Sequence, residues 1–157
     1  MTATAHALVA GAIASKISDP ATAAILAITS HFIMDSVPHW DIGTNWRLRP
    51  KATTGLFAIA ETLLGITIAY VVFGGKVSTI PLTSAIVASL IPDWLETPWY
   101  ILFASQKKKT PGARAGILEK LCFNVYKTEN ILHTKASFPF GVITQVVTVA
   151  FFLFLLR

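Results

Sequence analysis

Charge is scarce in this sequence, and cysteine is scarcer. Asp, Glu, Lys and Arg make up 13% of its 157 residues, against about 25% in a typical soluble domain. Hydrophobic residues make up 54%, and the mean hydropathy is +0.62. This balance speaks against an ordinary soluble domain and for lipid as the solvent of most of the chain. The single cysteine, Cys122, excludes an intramolecular disulfide and a thiolate metal cage, so any metal would be held by nitrogen and oxygen atoms. No Ser/Gly/Pro-rich or acidic linker divides the chain, and its length suits one domain, so residues 1–157 read as a single integral membrane domain. The stretch Met1 to Ile17 has no basic residues before its apolar run, which is the pattern expected of mature structure rather than of a signal peptide.

What is present in abundance is apolar sequence cut by breakers. Five segments stand out: Ala5 to Ile17, Pro20 to Val37, Thr53 to Phe73, Pro81 to Phe103 and Phe138 to Leu156. The last four approach or exceed the roughly 17–25 residues of a spanning helix. The first is short and rich in small residues, among them Ala7, Ala10, Gly11 and Ala14, and the second carries Ala21, Ala23, Ala24 and Ala27. Such residues let helix backbones approach closely. The two are therefore expected to form a tight hairpin turned at Ser18-Asp19-Pro20, with Pro20 at a helix start. The expected fold is all-α, a polytopic bundle of about five hydrophobic helices.

Lys and Arg set the orientation of such a bundle. If all five segments cross, one side holds Arg47, Arg49, Lys51, Lys107, Lys108, Lys109, Arg114, Lys120, Lys127 and Lys135, and the other holds Lys16, Lys76 and Arg157. The basic-rich side is then cytoplasmic and includes the N-terminus, with Arg157 outside. The run from Lys107 to Arg114 lies beside a membrane segment and reads as a contact for anionic lipid headgroups, so no nucleic-acid partner is expected.

The few ionisable residues near the apolar segments cluster, and such groups mark function because they are costly in hydrocarbon. His31 and Asp35 stand four apart on the second helix, on one face. Pro38 disfavours helical geometry at Val37, so His39 and Asp41 are expected to fold back over the helix end. The fourth segment repeats part of this pattern: Thr83-Ser84 and Ile91-Pro92-Asp93-Trp94 follow Thr29-Ser30 and Val37-Pro38-His39-Trp40 by 54 residues. If the repeat is real, two related hairpins each deliver a proline-broken end, and Asp93 and Glu96 face His39 and Asp41. His6, Glu61 and His133 fall at the same pole of the predicted topology.

Each has a plainer alternative. His6 suits an interface, Glu61 a bond to a neighbouring helix, Glu96 the headgroup region, His133 a solvated loop, and Asp93 a helix cap. Trp40, Trp46, Trp94, Trp99 and Tyr100 suit an interfacial aromatic belt. The block from His31 to Asp41 favours a site without help from the rest.

The opening Thr2-Ala3-Thr4-Ala5-His6-Ala7-Leu8-Val9-Ala10-Gly11, the block Ser30-His31-x3-Asp35-x2-Pro38 and the turn Leu90-Ile91-Pro92-Asp93 resemble motifs of the YdjM-type family of inner-membrane metal-dependent hydrolases. The resemblance covers most of the chain as scattered motifs. It implies a multi-helix membrane protein with His6, His31, Asp35 and Asp93 at the family's site. The order differs, since the family places the Leu-Pro-Asp turn first and follows it with Asp and His, where this chain has Trp94-Leu95-Glu96. A family Thr-His-Ser element has its nearest counterpart in His133-Thr134.

Imidazole and carboxylate without thiolate suit Zn²⁺ first, with Mn²⁺ or Fe²⁺ as alternatives, and an open coordination position would acidify a water. The expected ligands are His31, Asp35 and His39, completed by His6, Asp93 and His133. Asp41 or Glu96 would serve as general base, and Arg47 and Arg49 would hold a phosphate. A metal-dependent hydrolase of a lipid or lipid-linked phosphoester at the cytoplasmic face of the inner membrane follows. The competing class is non-enzymatic: a structural metal site or a metal-ion or proton pathway.

Overall fold

The computed structural model describes residues 1–43, 45–105 and 107–157; the side chain of Arg47 also lies outside the described part. Six α-helices carry the fold: α1 Ala3–Lys16, α2 Pro20–Ser36, α3 Lys51–Phe73, α4 Thr79–Pro98, α5 Ile117–Ile131 and α6 Phe140–Leu155. A 3₁₀ turn at Trp46–Leu48 and a π-helical turn at Trp99–Phe103 complete the regular structure, and no β-strand occurs among the described residues. The expectation of an all-α chain is met, and the apolar segments coincide with α1–α4 and α6.

Local chemistry sets the helix ends. Asp19 accepts from the Thr22 N–H at 2.8 Å with Pro20 at the first helical position, and α2 starts there. Val37 is extended (φ −76°, ψ 133°), as Pro38 requires, and α2 stops. Pro92 behaves differently. Instead of breaking its segment it lies inside α4, which continues to Pro98. The second proline-broken hairpin end expected from the repeat is therefore not formed. Pro92 removes the N–H that would bond the Ala88 carbonyl, and in the same turn the Ser89 carbonyl is used by a side chain of α2, as shown below.

The packing is inside-out. The centre of the molecule is α1, whose Ala7, Val9, Ala10 and Ala14 are buried and which touches α2, α3, α4 and α6. The expected hairpin with α2 is present, but α1 is enclosed by three further helices. Close approach is the reason for the small residues: a Cβ on Gly65 of α3 would lie 2.7 Å from Thr4 Cα, so only glycine lets α3 lie against the start of α1. Large aliphatic and aromatic side chains point outward instead, including Ile25 and Ile33 of α2, Leu56 and Val71 of α3, Val87 of α4, and Val146 and Phe154 of α6. Among the described residues one helix, α3, is long and apolar enough to cross a membrane, and just 11% of its most apolar window is buried within the chain. α6 is apolar but shorter.

A second, smaller core is aromatic. Trp46, Trp99 and Ala104 are buried and pack with Tyr100, Phe103, Phe123 and Tyr126, fastening amphipathic α5 to the end of α4. Three members of the expected aromatic belt, Trp46, Trp99 and Tyr100, thus form core contacts, while Trp94 is exposed.

Candidate metal centre

At the pole where α1 begins and α2 ends, four histidines and three aspartates converge. Two groups of three have ligand atoms within 4.8 Å of one another: His6, His31 and Asp93, and Asp35, His39 and His133. Asp35 lies between them. Its Oδ1 is 3.1 Å from His6 Nε2 and 3.8 Å from His39 Nε2, and its Oδ2 is 3.5 Å from His31 Nε2 and 3.4 Å from His133 Nδ1. The Met1 amino group also contacts Asp35 Oδ1. Asp41 closes the second group, with Oδ2 at 2.7 Å from His133 Nε2 and 3.6 Å from His39 Nε2.

The separations about Asp35 suit a cation there, while His133 Nε2 lies at hydrogen-bond distance from His39 Nε2 (2.9 Å) and Asp41 Oδ2 (2.7 Å). Two ligand atoms each about 2.1 Å from an ion and tetrahedrally disposed about it lie about 3.4 Å apart. The Asp35 to His6, His31 and His133 contacts fall near that value. The ring nitrogens that face away from the centre are fixed from outside: His31 Nδ1 donates to the Ser89 carbonyl at 2.8 Å, and His39 Nδ1 donates to the Val37 carbonyl at 2.8 Å. Both imidazoles therefore turn an Nε2 lone pair inward, the arrangement by which outer partners orient metal-ligating histidines. His6 is buried and neither of its nitrogens has a hydrogen-bond partner of good geometry. Leaving a buried polar atom unsatisfied is costly, and a metal ion would satisfy it.

His133 is placed by backbone pairing. Its nearest expected alternative, a solvated loop, does not hold: the segment that follows forms a parallel bridge between His39 and Lys135. Thr134 N–H donates to the Asp35 carbonyl at 2.9 Å, His39 N–H to the Thr134 carbonyl at 3.1 Å, and Ala136 N–H to the His39 carbonyl at 2.7 Å. The same bonds satisfy a carbonyl left over at the end of α2. Gly141 lets α6 approach this pairing, since a Cβ there would lie 2.5 Å from Trp40 N and 2.8 Å from His39 C. Burial lowers the His133 imidazole below its ordinary range, although the Asp41 hydrogen bond and the Asp35 charge oppose it. The ring is then neutral at neutral pH, as a metal ligand must be. At Asp41 burial works upward, but the hydrogen bond from His133 and the charge of Lys135 prevail and hold the carboxyl below the usual range, so it is ionised.

Asp93 faces His31, at 3.9 Å, rather than His39 as the repeat implied. Glu61 stands apart from the ligands: its two oxygens accept the Ala3 and Thr4 N–H groups at 2.8 and 2.7 Å, which caps α1 from α3 and so positions His6. Glu96 accepts from the Asn130 amide of α5 at 2.9 Å. The Arg49 guanidinium donates to the Ile42 carbonyl and ties the loop before α3; Arg47 lies outside the described side chains.

A cavity of about 220 Å³ adjoins the centre. Asp41, Asp93, Glu96 and His133 line one part of it, and Lys51 and Lys135 supply its cations, so these lysines occupy the place the sequence suggested for Arg49. Ser89, Gly141 and the two lysines carry no motif, and they become recognisable when the backbone pairing and the cavity are in view. The buried His and Asp groups can thus hold a metal ion. Comparison with protein-family models, with curated proteins and with solved structures finds no match to this chain.

Proposed function

We propose that the chain is a polytopic membrane protein that hydrolyses a lipid or lipid-linked phosphoester with the help of a divalent metal, at the cytoplasmic face of an inner membrane. The membrane reading is supported by the inside-out packing, with small residues around α1 and large apolar side chains outward on α2, α3, α4 and α6. At 14 residues α1 is about 21 Å long, short of the roughly 30 Å hydrocarbon layer. It sits within the bundle rather than against lipid. The orientation rests on the excess of Lys and Arg in the segments around the ligand pole. Asn45→Cys and Gly112→Cys, each made in a Cys122→Ala background, should both react with an impermeant thiol reagent from the cytoplasmic side; labelling from opposite sides would break the topology.

The observation that carries the hydrolase reading is the convergence of four imidazoles and three carboxylates, with two rings oriented from outside, beside a cavity containing two lysines. His6, His31 and Asp93 would hold one ion, and His39, Asp41 and His133 a second, with Asp35 shared. Zinc fits this donor set best, and manganese or iron(II) are the alternatives. A bound ion would supply Lewis-acid activation of water and of the phosphoryl group. Lys51 and Lys135 would neutralise the phosphate oxygens. Asp41 is engaged by His133 and His39 and reads as a ligand, which leaves Glu96 as the carboxylate that takes a proton from the attacking water. In the step, a bond from the water oxygen to phosphorus forms, the bond from phosphorus to the lipid oxygen breaks, and the proton taken by Glu96 passes to that oxygen as it leaves. The scattered resemblance to YdjM-type inner-membrane hydrolases is consistent with this assignment.

The near-complete burial of His6, His31 and His39 favours one other reading, a structural metal site. Elemental analysis of purified protein, followed by phosphate release with and without chelator, separates the two. Metal bound, lost in the His31→Ala, Asp35→Ala double variant, and required for phosphate release supports the hydrolase. Metal bound without turnover favours the structural site, and absence of transition metal overturns both.

A further inference from the structure

The cavity beside the metal centre has both a charged and an apolar lining. Asp41, Asp93, Glu96 and His133 of the centre line it, with Lys135 beside Asp41, and Lys51 lines it as well. Its apolar lining includes Ala58 and Ile59 of α3, Trp94 of α4 and Ile101 of the π-helical turn that follows α4, interspersed with Thr54, Glu61, Thr62 and Thr97. These two helices have little direct packing against each other, because α3 lies chiefly on α1 and α4 on α2. The cavity lies between them, closed by the start of α1 and by the loop that holds Asp41 and Trp46. Its apolar rim is continuous with the outer surface: Ile59 is 49% exposed and Ile101 60%. Lys51 Nζ donates to the Ile101 carbonyl at 3.0 Å and bridges the gap. Gly55 also lines the cavity, and a Cβ built there meets nothing within 4 Å, so the absence of a side chain leaves open space at the mouth.

We propose that this gap is a lateral port for the hydrocarbon chain of the substrate, and that the substrate is a phosphate monoester of a long-chain alcohol. The chain passes between α3 and α4 along Ala58, Ile59, Trp94 and Ile101, and the phosphate is held by Lys51 and Lys135 against the ligand cluster. A cavity lined both by cations and metal ligands and by unpartnered apolar side chains complements an amphiphile, whereas a wholly polar phosphoester would leave the apolar lining uncovered. The inference rests on the hydrolase reading and adds the substrate class and its path.

The test compares dodecyl phosphate with ethyl phosphate in detergent, with release of inorganic phosphate as one readout. Quenching of tryptophan fluorescence by a brominated dodecyl phosphate is the second. The wild-type protein should prefer the dodecyl ester in kcat/KM, and the brominated chain should quench its fluorescence. Gly55→Phe and Ala58→Phe place bulk in the port; each should lower kcat/KM for the dodecyl ester at least tenfold, lower that for the ethyl ester less than threefold, and weaken the quenching. Equal losses on both esters, or an undiminished dodecyl preference and quenching in both variants, would overturn the port. Quenching sensitive to both variants but no turnover of either ester would keep the port and overturn the hydrolase reading; no quenching in the wild type would overturn the port itself.

Discussion

The ligand cluster has a helix-borne half and a loop-borne half, and they are held by different forces. His6, His31 and Asp93 project from α1, α2 and α4, where side-chain packing and close backbone approach place them. His39, Asp41 and His133 come from segments outside any helix and are held by backbone hydrogen bonds between residues almost a hundred positions apart in sequence. The helix-borne half is rigid once the bundle has formed. The loop-borne half requires two remote segments to pair, and it borders the cavity through Asp41 and His133. Asp93 of the helix-borne half borders the same cavity, so the two halves differ in what holds them in place and not in their access to it.

The comparison can be broken at several points. Asp35 belongs to both halves, so Asp35→Ala is expected to have the largest effect, removing bound metal from both and abolishing phosphate release; elemental analysis of the purified variant reads this directly. Single-half variants should divide the effects. His6→Ala is expected to remove the ion of the helix-borne half and His39→Ala that of the loop-borne half, so that each retains about half the wild-type metal content. Equal loss of all metal in both variants would mean that a single ion is shared by the seven residues.

Gly141→Ala tests the loop-borne half without touching a ligand. The added methyl would collide with the backbone at His39 and Trp40, and separating them should cost about 1–3 kcal/mol. Thermal unfolding should fall accordingly, and limited proteolysis should begin near residues 38–43, with the metal of the helix-borne half retained. Glu61→Gln should have the smallest effect. It replaces charge-assisted caps on the Ala3 and Thr4 N–H groups by weaker ones, at a cost of roughly 1–2 kcal/mol. Metal binding should be nearly preserved, and a complete loss would place Glu61 among the ligands after all.

Much of the helix-borne half was legible in the chain. His31 and Asp35 stand four apart, a spacing that any α-helix turns into one face, and the ending of α2 at Val37 follows from a steric rule acting on neighbours. Glu61, by contrast, was ambiguous, since a carboxylate in an apolar run can be ligand or cap, and its partners 57 and 58 residues away decide which. Pro92 misled because a proline can either end a helix or be carried within one, and packing in the bundle settled the matter. The aromatic residues misled similarly: composition suggested a belt, while α5 folds back to cover Trp99.

The sequence by itself determined the all-α character, the positions of the apolar helices, the small-residue centre and the set of donor atoms, because these depend on composition and on contacts within a few residues. Tertiary structure alone decided that His133 pairs against His39, that Asp35 stands between two groups of ligands, that Lys51 and Lys135 rather than Arg49 line the cavity, and that α3 and α4 leave a gap between them. Each of those depends on backbone pairing or packing between remote segments, for which the linear order of residues carries no local signal.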